Sequence, residues 1–153
     1  MDRGLVLIEN SESHAELLRE AKEHALGAGA DLVLLVTLTE DEFEETQEVL
    51  DTIGNIEQTS YTDQDAYQAA MNDAEEVSRA VFDDDDEVTY EIVPRISSEK
   101  ERGETVIEVA EEMDADHVFT LGQKRSPTGK ALFGDLAQYV VLNFDGYVTL
   151  QTE

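Results

Sequence analysis

Hydrophobic positions along this chain follow two alternating periods. Short apolar runs at residues 4–9 (GLVLIE), 31–38 (DLVLLVTL), 87–94 (EVTYEIVP), 115–122 (ADHVFTLG) and 146–153 (GYVTLQTE) predict strands. Their near-continuous hydrophobicity, clearest at 31–38, predicts burial on both faces, as in a parallel sheet. Between them lie stretches of helical spacing. Residues 10–30 carry Ala15, Leu17, Leu18, Ala21, Ala25 and Leu26, with Ser11 as cap and Gly27 and Gly29 as stop. Residues 63–82 place Ala66, Ala70, Ala74, Val77 and Val81 on one face, residues 98–114 carry Val106, Ile107 and Ala110, and 135–144 form a last helix. Residues 39–62 are ambiguous: Phe43, Val49, Leu50 and Ile53 fit a short amphipathic helix. Pro94 is read as the end of the third strand, and DDDD at 83–86 as a solvated turn without EF-hand spacing. The order β–α–β–(α)–α–β–α–β–α–β predicts a doubly wound α/β fold with right-handed crossovers. No repeat or linker interrupts it, so residues 1–153 are expected to form one domain.

Charge changes the picture more than composition does. The chain holds 10 Lys plus Arg against 37 Asp plus Glu, a formal net charge of −27. Such a field repels nucleic acid and anionic lipid. It also works against compactness unless salt screens it, the Debye length at molar salt being ~3 Å. We therefore expect a halophilic protein of a salt-rich cytoplasm, with neither nucleic acid nor membrane among its partners. The acid is spread along the chain, which disfavours a dedicated acidic tail. There is no cysteine, which excludes disulfides and thiolate chemistry. The opening run MDRGLVLIEN is too short for a leader or a membrane span.

Candidate chemistry concentrates at two strand ends. In an open parallel sheet, ligands sit beyond the carboxyl ends of the strands where strand order switches. The first strand ends in Glu9-Asn10-Ser11, and the fourth in Leu121-Gly122 before the loop QKRSPTGKALFGD. That loop carries Lys124, Arg125 and Lys130, three of the ten cations within seven residues. Arg95, Lys100 and Arg102 follow the third strand at the same edge. Basic side chains with Gly129 and Gly134, which permit close backbone approach, point to an anion site. The competing reading is that these cations pair with neighbouring acids. Asp135 opens the last helix, with Gln138 three residues on, as in a capping box. A carboxylate there would occupy the helix amide end and repel a phosphate by about 4 kcal/mol per charge pair at ~4 Å and an effective dielectric of ~20.

These features resemble the universal stress protein family. The family's mark is a glycine after the fourth strand, a second glycine shortly after, a longer spacer, and Gly-Ser or Gly-Thr opening the last helix. Gly122 stands as the first glycine, Arg125 occupies the place of the second, and Gly134-Asp135 stands for the closing pair. GLVLIENSES and GETVIEVAEEMDADHVFTLG resemble the family's start and its third helix with fourth strand. The resemblance implies a five-stranded parallel sheet of order 3-2-1-4-5, the adenine nucleotide alpha hydrolase-like fold. It implies a homodimer through the last strand, Tyr147 to Thr152, and a regulatory role in stress survival. It further implies ATP as a regulatory ligand; with a carboxylate at Asp135, ATP bridged by Mg²⁺, AMP, another small anion and an empty pocket all stay open. Glu9 and Val36–Thr37 would hold the nucleoside, Gly122, Arg125, Gly134 and Asp135 the phosphates, and Asn10, Leu121, Gly129 and Leu136 would complete the nucleotide-binding set.

Two other functions are compatible with the residues. One is a Mg²⁺-dependent nucleotide hydrolase with Asp135 or Glu9 as metal ligand. The other is a module without cofactor that works through contact with another protein. No catalytic constellation supports the first. His14, His24 and His117 do not pair at metal-ligand spacing and read as core or surface histidines, and no catalytic or metal residue is assigned. Ser11 reads as a helix cap rather than a nucleophile, and Ser126 and Thr128 as turn residues beside Pro127. The terminal strand YVTLQT lacks a blunting Pro or Lys, so its edge is open to a second chain.

Overall fold

The computed structural model describes residues 1–9, 11–57, 63–82, 88–122 and 134–152. Five strands form one sheet of order β3-β2-β1-β4-β5: β1 (Arg3–Leu7), β2 (Asp31–Leu38), β3 (Tyr90–Ile96), β4 (His117–Gly122) and β5 (Tyr147–Thr152). All four pairings are parallel. Among the described residues five α-helices connect them: α1 (Glu12–Ala28), α2 (Glu40–Glu57), α3 (Asp63–Val81), α4 (Arg102–Glu112) and α5 (Asp135–Asn143). This is the fold expected from the alternation of periods.

The unbroken apolar runs are explained by two cores, one on each sheet face. On one face, Val6 and Ile8 of the first strand segment, Leu32, Leu34 and Val36 of β2, and Phe119 of β4 meet Leu17, Leu18, Ala21 and Ala25 of α1 and Ala74, Val77 and Val81 of α3. On the other, Leu5, Leu7, Val33, Leu35 and Val118 meet Val106, Val109 and Ala110 of α4 and Val140 of α5. Successive side chains of a strand point to opposite faces, so a strand covered on both sides needs apolar residues at every position. Burying each such Leu or Val contributes about 1.5–3 kcal/mol.

Four expectations are corrected. Residues 40–57 form an eighteen-residue helix, started by a reciprocal capping box in which Thr39 Oγ1 accepts the N–H of Glu42 and Glu42 Oε2 accepts the N–H of Thr39, both at 3.1 Å. Of its expected apolar face, Phe43 packs on Tyr67 of α3 with ring centroids 5.1 Å apart, whereas Val49 and Ile53 are exposed. Leu26 is exposed too, because α1 turns it away from the stripe that meets the sheet. Pro94 does not end β3; the strand runs through it to Ile96, with Val36 opposite Pro94. Only an edge strand tolerates this, since some of its N–H groups have no ladder partner to lose. Gly29, at φ 66°, is the left-handed C-cap of α1, while Gly27 lies inside the helix.

The floor of the sheet, away from the carboxyl strand ends, is held by polar contacts. The Asp116 carboxylate accepts the backbone N–H groups of Asp2 and Arg3. Burial alone would raise its pKa, but these N–H groups bring it below the usual carboxylate value. Nearby, His117 stacks on Phe119 at 4.4 Å, meets His24 edge-on at 6.0 Å, and its Nε2 lies 2.7 Å from Thr149 Oγ1 of β5. Burial, and then the positive charge of a protonated His24, lower its pKa from the ordinary 6.5. The folded state therefore binds this proton less readily than the unfolded chain. The resulting stability is present above the ordinary value and is lost as pH falls through the depressed one. We predict that the melting-temperature advantage of the parent over His117→Gln, measured in parallel, shrinks between pH 7.5 and pH 5. An advantage constant over that range overturns the assignment.

Candidate functional site

Parallel pairing of β1 with β4, Gly4 opposite His117 and Val6 opposite Phe119, brings their carboxyl ends side by side. The crossover from β1 enters α1 on one face of the sheet, and the segment after β4 leads to α5 on the other. The divergence opens a cleft of about 760 Å³ among the described residues. Its floor is Leu7, Thr120, Leu121 and Gly122 at the strand ends. One wall carries Glu9 and His14; the other is built from Glu99, Lys100, Arg102 and Gly103 at the start of α4 and Gly134, Asp135, Leu136, Ala137 and Tyr139 at the start of α5. The volume suits a ligand of nucleotide size.

Each wall has a local cause. Ser11 caps α1, its Oγ accepting the His14 N–H at 3.2 Å and lying 2.6 Å from His14 Nδ1. That contact, with burial, fixes the imidazole so that Nε2 stands 4.0 Å from Glu9 Oε2. On the opposite side, the N–H of Ser97 bonds to Leu38 O, and the Thr105 hydroxyl donates to buried Ser97 Oγ at 2.7 Å. Ser98 then caps the 3-10 turn Glu99–Glu101, which leads into Arg102. This junction aims Arg102 across the cleft, where its Nη2 pairs with Glu9 Oε1. Arg102 Nε is buried and has no hydrogen-bond partner among the described residues.

The start of α5 differs from the capping-box expectation. The N-cap is Gly134, not Asp135, with φ 88° and ψ 155°, and among the described residues no side chain caps the helix. That φ lies in the region open to glycine, and the helix starts one residue earlier than it would with Asp135 as its cap. Asp135 is the first helical residue and its exposed carboxylate lines the cleft. The amide end of a nine-residue helix therefore borders the cleft without a side-chain cap among the described residues. Asp135 still adds a negative charge beside it.

Of the residues singled out from sequence, Glu9, Leu121, Gly122, Gly134, Asp135 and Leu136 are brought together in the cleft. Val36 and Thr37 are not among its lining; they lie in β2 opposite Pro94 and Arg95, Val36 in the core. Asn10, Arg125 and Gly129, with Lys124, Ser126, Pro127, Thr128 and Lys130, lie outside the described residues, as does the DDDD turn. Lys100 and Arg102 do reach the site, whereas Arg95 pairs with Glu112 at 2.9 Å. Sequence reasoning missed His14 and Tyr139. Only the helical offset from Glu9 could have flagged His14; nothing local marks Tyr139. Among the described residues no group of three or more His, Asp or Glu could hold a metal ion, and no helix is long and apolar enough to cross a membrane.

Order, register and switch-point cleft define a doubly wound nucleotide-fold α/β protein. The sequence model of the universal stress protein family matches residues 1–150, and the chain belongs to that family. No curated protein sequence matches it. Among solved structures, the universal stress protein from Archaeoglobus fulgidus is similar over 98% of each chain, at 20% identity and a TM-score of 0.60. A universal stress protein in complex with cAMP shares 15% identity over 99% of this chain and 96% of its own, with a TM-score of 0.64. The Archaeoglobus fulgidus protein in complex with dAMP shares 18% over 98% and 97%, with a TM-score of 0.54.

The cleft wall depends on one glycine contact. A Cβ on buried Gly103 would lie 2.6, 2.8 and 2.9 Å from Tyr139 Cδ1, Cγ and Cβ, the root of that side chain rather than its flexible end. Alanine gains up to about 1 kcal/mol of helix propensity over glycine, but the overlap must part α4 from α5. We predict a net loss of about 1–3 kcal/mol for Gly103→Ala, read as a lower urea midpoint at unchanged slope. An unchanged or higher midpoint refutes the close contact.

Proposed function

We propose that this universal stress protein is a dimeric regulatory module that binds an adenine nucleotide in the cleft between β1, β4, α4 and α5. The observation that carries the reading is the convergence, at one switch point, of Arg102, Lys100 and a helix amide end that no side chain caps among the described residues. Amides and cations of this kind suit a phosphate. The dAMP- and cAMP-bound relatives support a ligand with one phosphate. The described wall supports the same choice: Glu9, Glu99 and Asp135 outnumber Lys100 and Arg102. An AMP-like ligand is thus favoured over ATP, and Asp135 is the carboxylate placed to meet a Mg²⁺ ion carried on a polyphosphate. Glu9 faces the nucleoside end.

Thermal melting in molar KCl tests this, because a ligand bound only to the folded state raises stability. At about 100 times its dissociation constant AMP should add about 2.7 kcal/mol. ATP should need Mg²⁺ to approach that effect. In Asp135→Ser, ATP affinity should rise about tenfold or more and the Mg²⁺ requirement weaken, with AMP changed less. A melting temperature unmoved by every adenine nucleotide would sink the reading and leave a module that acts through protein contact alone.

The dimer reading rests on the sheet edge. β5 pairs with β4 on one side and is the terminal strand on the other. Tyr147 is 70% and Leu142 72% exposed, unusual for large apolar side chains in so acidic a molecule. Open apolar edges invite pairing with a second copy, and lysine blunts them. Light scattering after size exclusion in molar KCl should give twice the 17.0 kDa chain mass, and the double variant Tyr147→Lys/Leu142→Lys should give the chain mass itself. A parent that elutes as monomer at every concentration overturns it.

A further inference from the structure

The geometry points to Arg102 as the phosphate-gripping residue of this cleft and to Glu9 as an internal competitor for its guanidinium. The inference rests on the cleft being the nucleotide site and adds a residue and a competition to that reading. Arg102 stands at the start of α4, on the wall opposite Glu9, with Gly134 and Asp135 lining the same space. Its Nη2 is engaged by Glu9 Oε1, and its Nε is buried with no partner among the described residues.

A guanidinium can hold a phosphate at two points through either of two edges, Nε with Nη2 or Nη1 with Nη2. Nη2 serves both edges, with one N–H on each, and Glu9 Oε1 takes one of these two donors. A phosphate gripping the remaining edge would sit beside the Glu9 carboxylate on one guanidinium, and the repulsion between the two anions favours release of Glu9. Once displaced, Glu9 becomes an acceptor free to receive ligand hydroxyls. It remains beside His14, whose Nε2 lies 4.0 Å from its other oxygen. The exchange also offers a partner to the orphaned Nε, a polar atom whose burial without one is unfavourable. Phosphate capture by Arg102 and hydroxyl capture by Glu9 thus become two halves of one event. A ligand carrying both groups gains more than the sum expected from ligands carrying one.

Titration calorimetry with AMP, adenosine and inorganic pyrophosphate tests this on the parent, Glu9→Gln, Arg102→Gln and Arg102→Lys, each first checked for its circular dichroism and melting. Arg102→Gln should weaken AMP at least about tenfold and adenosine less than about twofold. Arg102→Lys, which keeps the charge but lacks the fork, should weaken AMP by an intermediate factor and carries the test in a variant that preserves the attraction to Glu9. Glu9→Gln should tighten pyrophosphate at least about threefold, because a neutral amide competes less well for the guanidinium. Equal losses of AMP and adenosine in Arg102→Gln, or pyrophosphate binding weakened by Glu9→Gln, overturn the exchange. Failure of AMP and adenosine alike to bind the parent overturns the nucleotide reading instead. In that case pyrophosphate binding raised by Glu9→Gln and lost in Arg102→Gln upholds the role of Arg102, and indifference to both substitutions overturns it.

Discussion

The structure depends on one pairing: β1 lies parallel to β4 while their following segments lead to opposite faces of the sheet. A parallel neighbour cannot be reached by a tight turn, so each strand must be followed by a crossover. Where successive crossovers change face, nothing covers the strand ends between them. The cleft is the space left by that reversal. Its floor is apolar and rigid because β1 and β4 are buried from both sides, Val6 and Phe119 on one face and Leu5 and Val118 on the other.

Charge decides what the cleft can do. In a chain of net charge −27, cations are drawn to carboxylates, and Arg3, Arg79, Arg95 and Arg102 each face one. Three of these pairs, Arg3 with Asp31, Arg79 with Glu75 and Arg95 with Glu112, lie away from the cleft, and exposed pairs of that kind contribute little to stability. The fourth differs because Arg102 is the least exposed of the four and its partner stands at the strand end. Under the proposed exchange, pairing that eases the overall field and pairing that guards an anion site are the same contact. In the proposed reading Asp135 works in the same sense, adding a negative charge at a helix end whose amides would otherwise draw the most highly charged ligand.

The elements with strong periodicity were legible before any coordinates. Residues 31–38 read as a strand buried on both faces and form β2 over that range, and Ser11 and Gly29 cap α1 as their residue types imply. The helix at 40–57 was legible too, through Thr39 and Glu42, whose spacing is that of a capping box; its weak apolar face hid it. Pro94 misled because proline ends an inner strand but not an edge strand, and edge position is a property of the sheet. The start of α5 misled for a related reason. Asp135 has the side chain of a cap, yet the residue that reverses the chain direction is Gly134.

By itself the sequence determined the alternation of strands and helices, the double burial of the central strands, the acidic field and the scarcity of cations, since each is a property of local order or of composition. It also marked Glu9, Gly122 and Gly134 as strand-end and helix-start positions. Which cation meets which carboxylate was decided only by tertiary structure. Arg102 and Glu9 are far apart in the chain and meet only because α4 and the end of β1 border the same reversal of crossover direction. Such a contact has no local signature: its geometry depends on strand order, and strand order is set by the packing of both sheet faces at once.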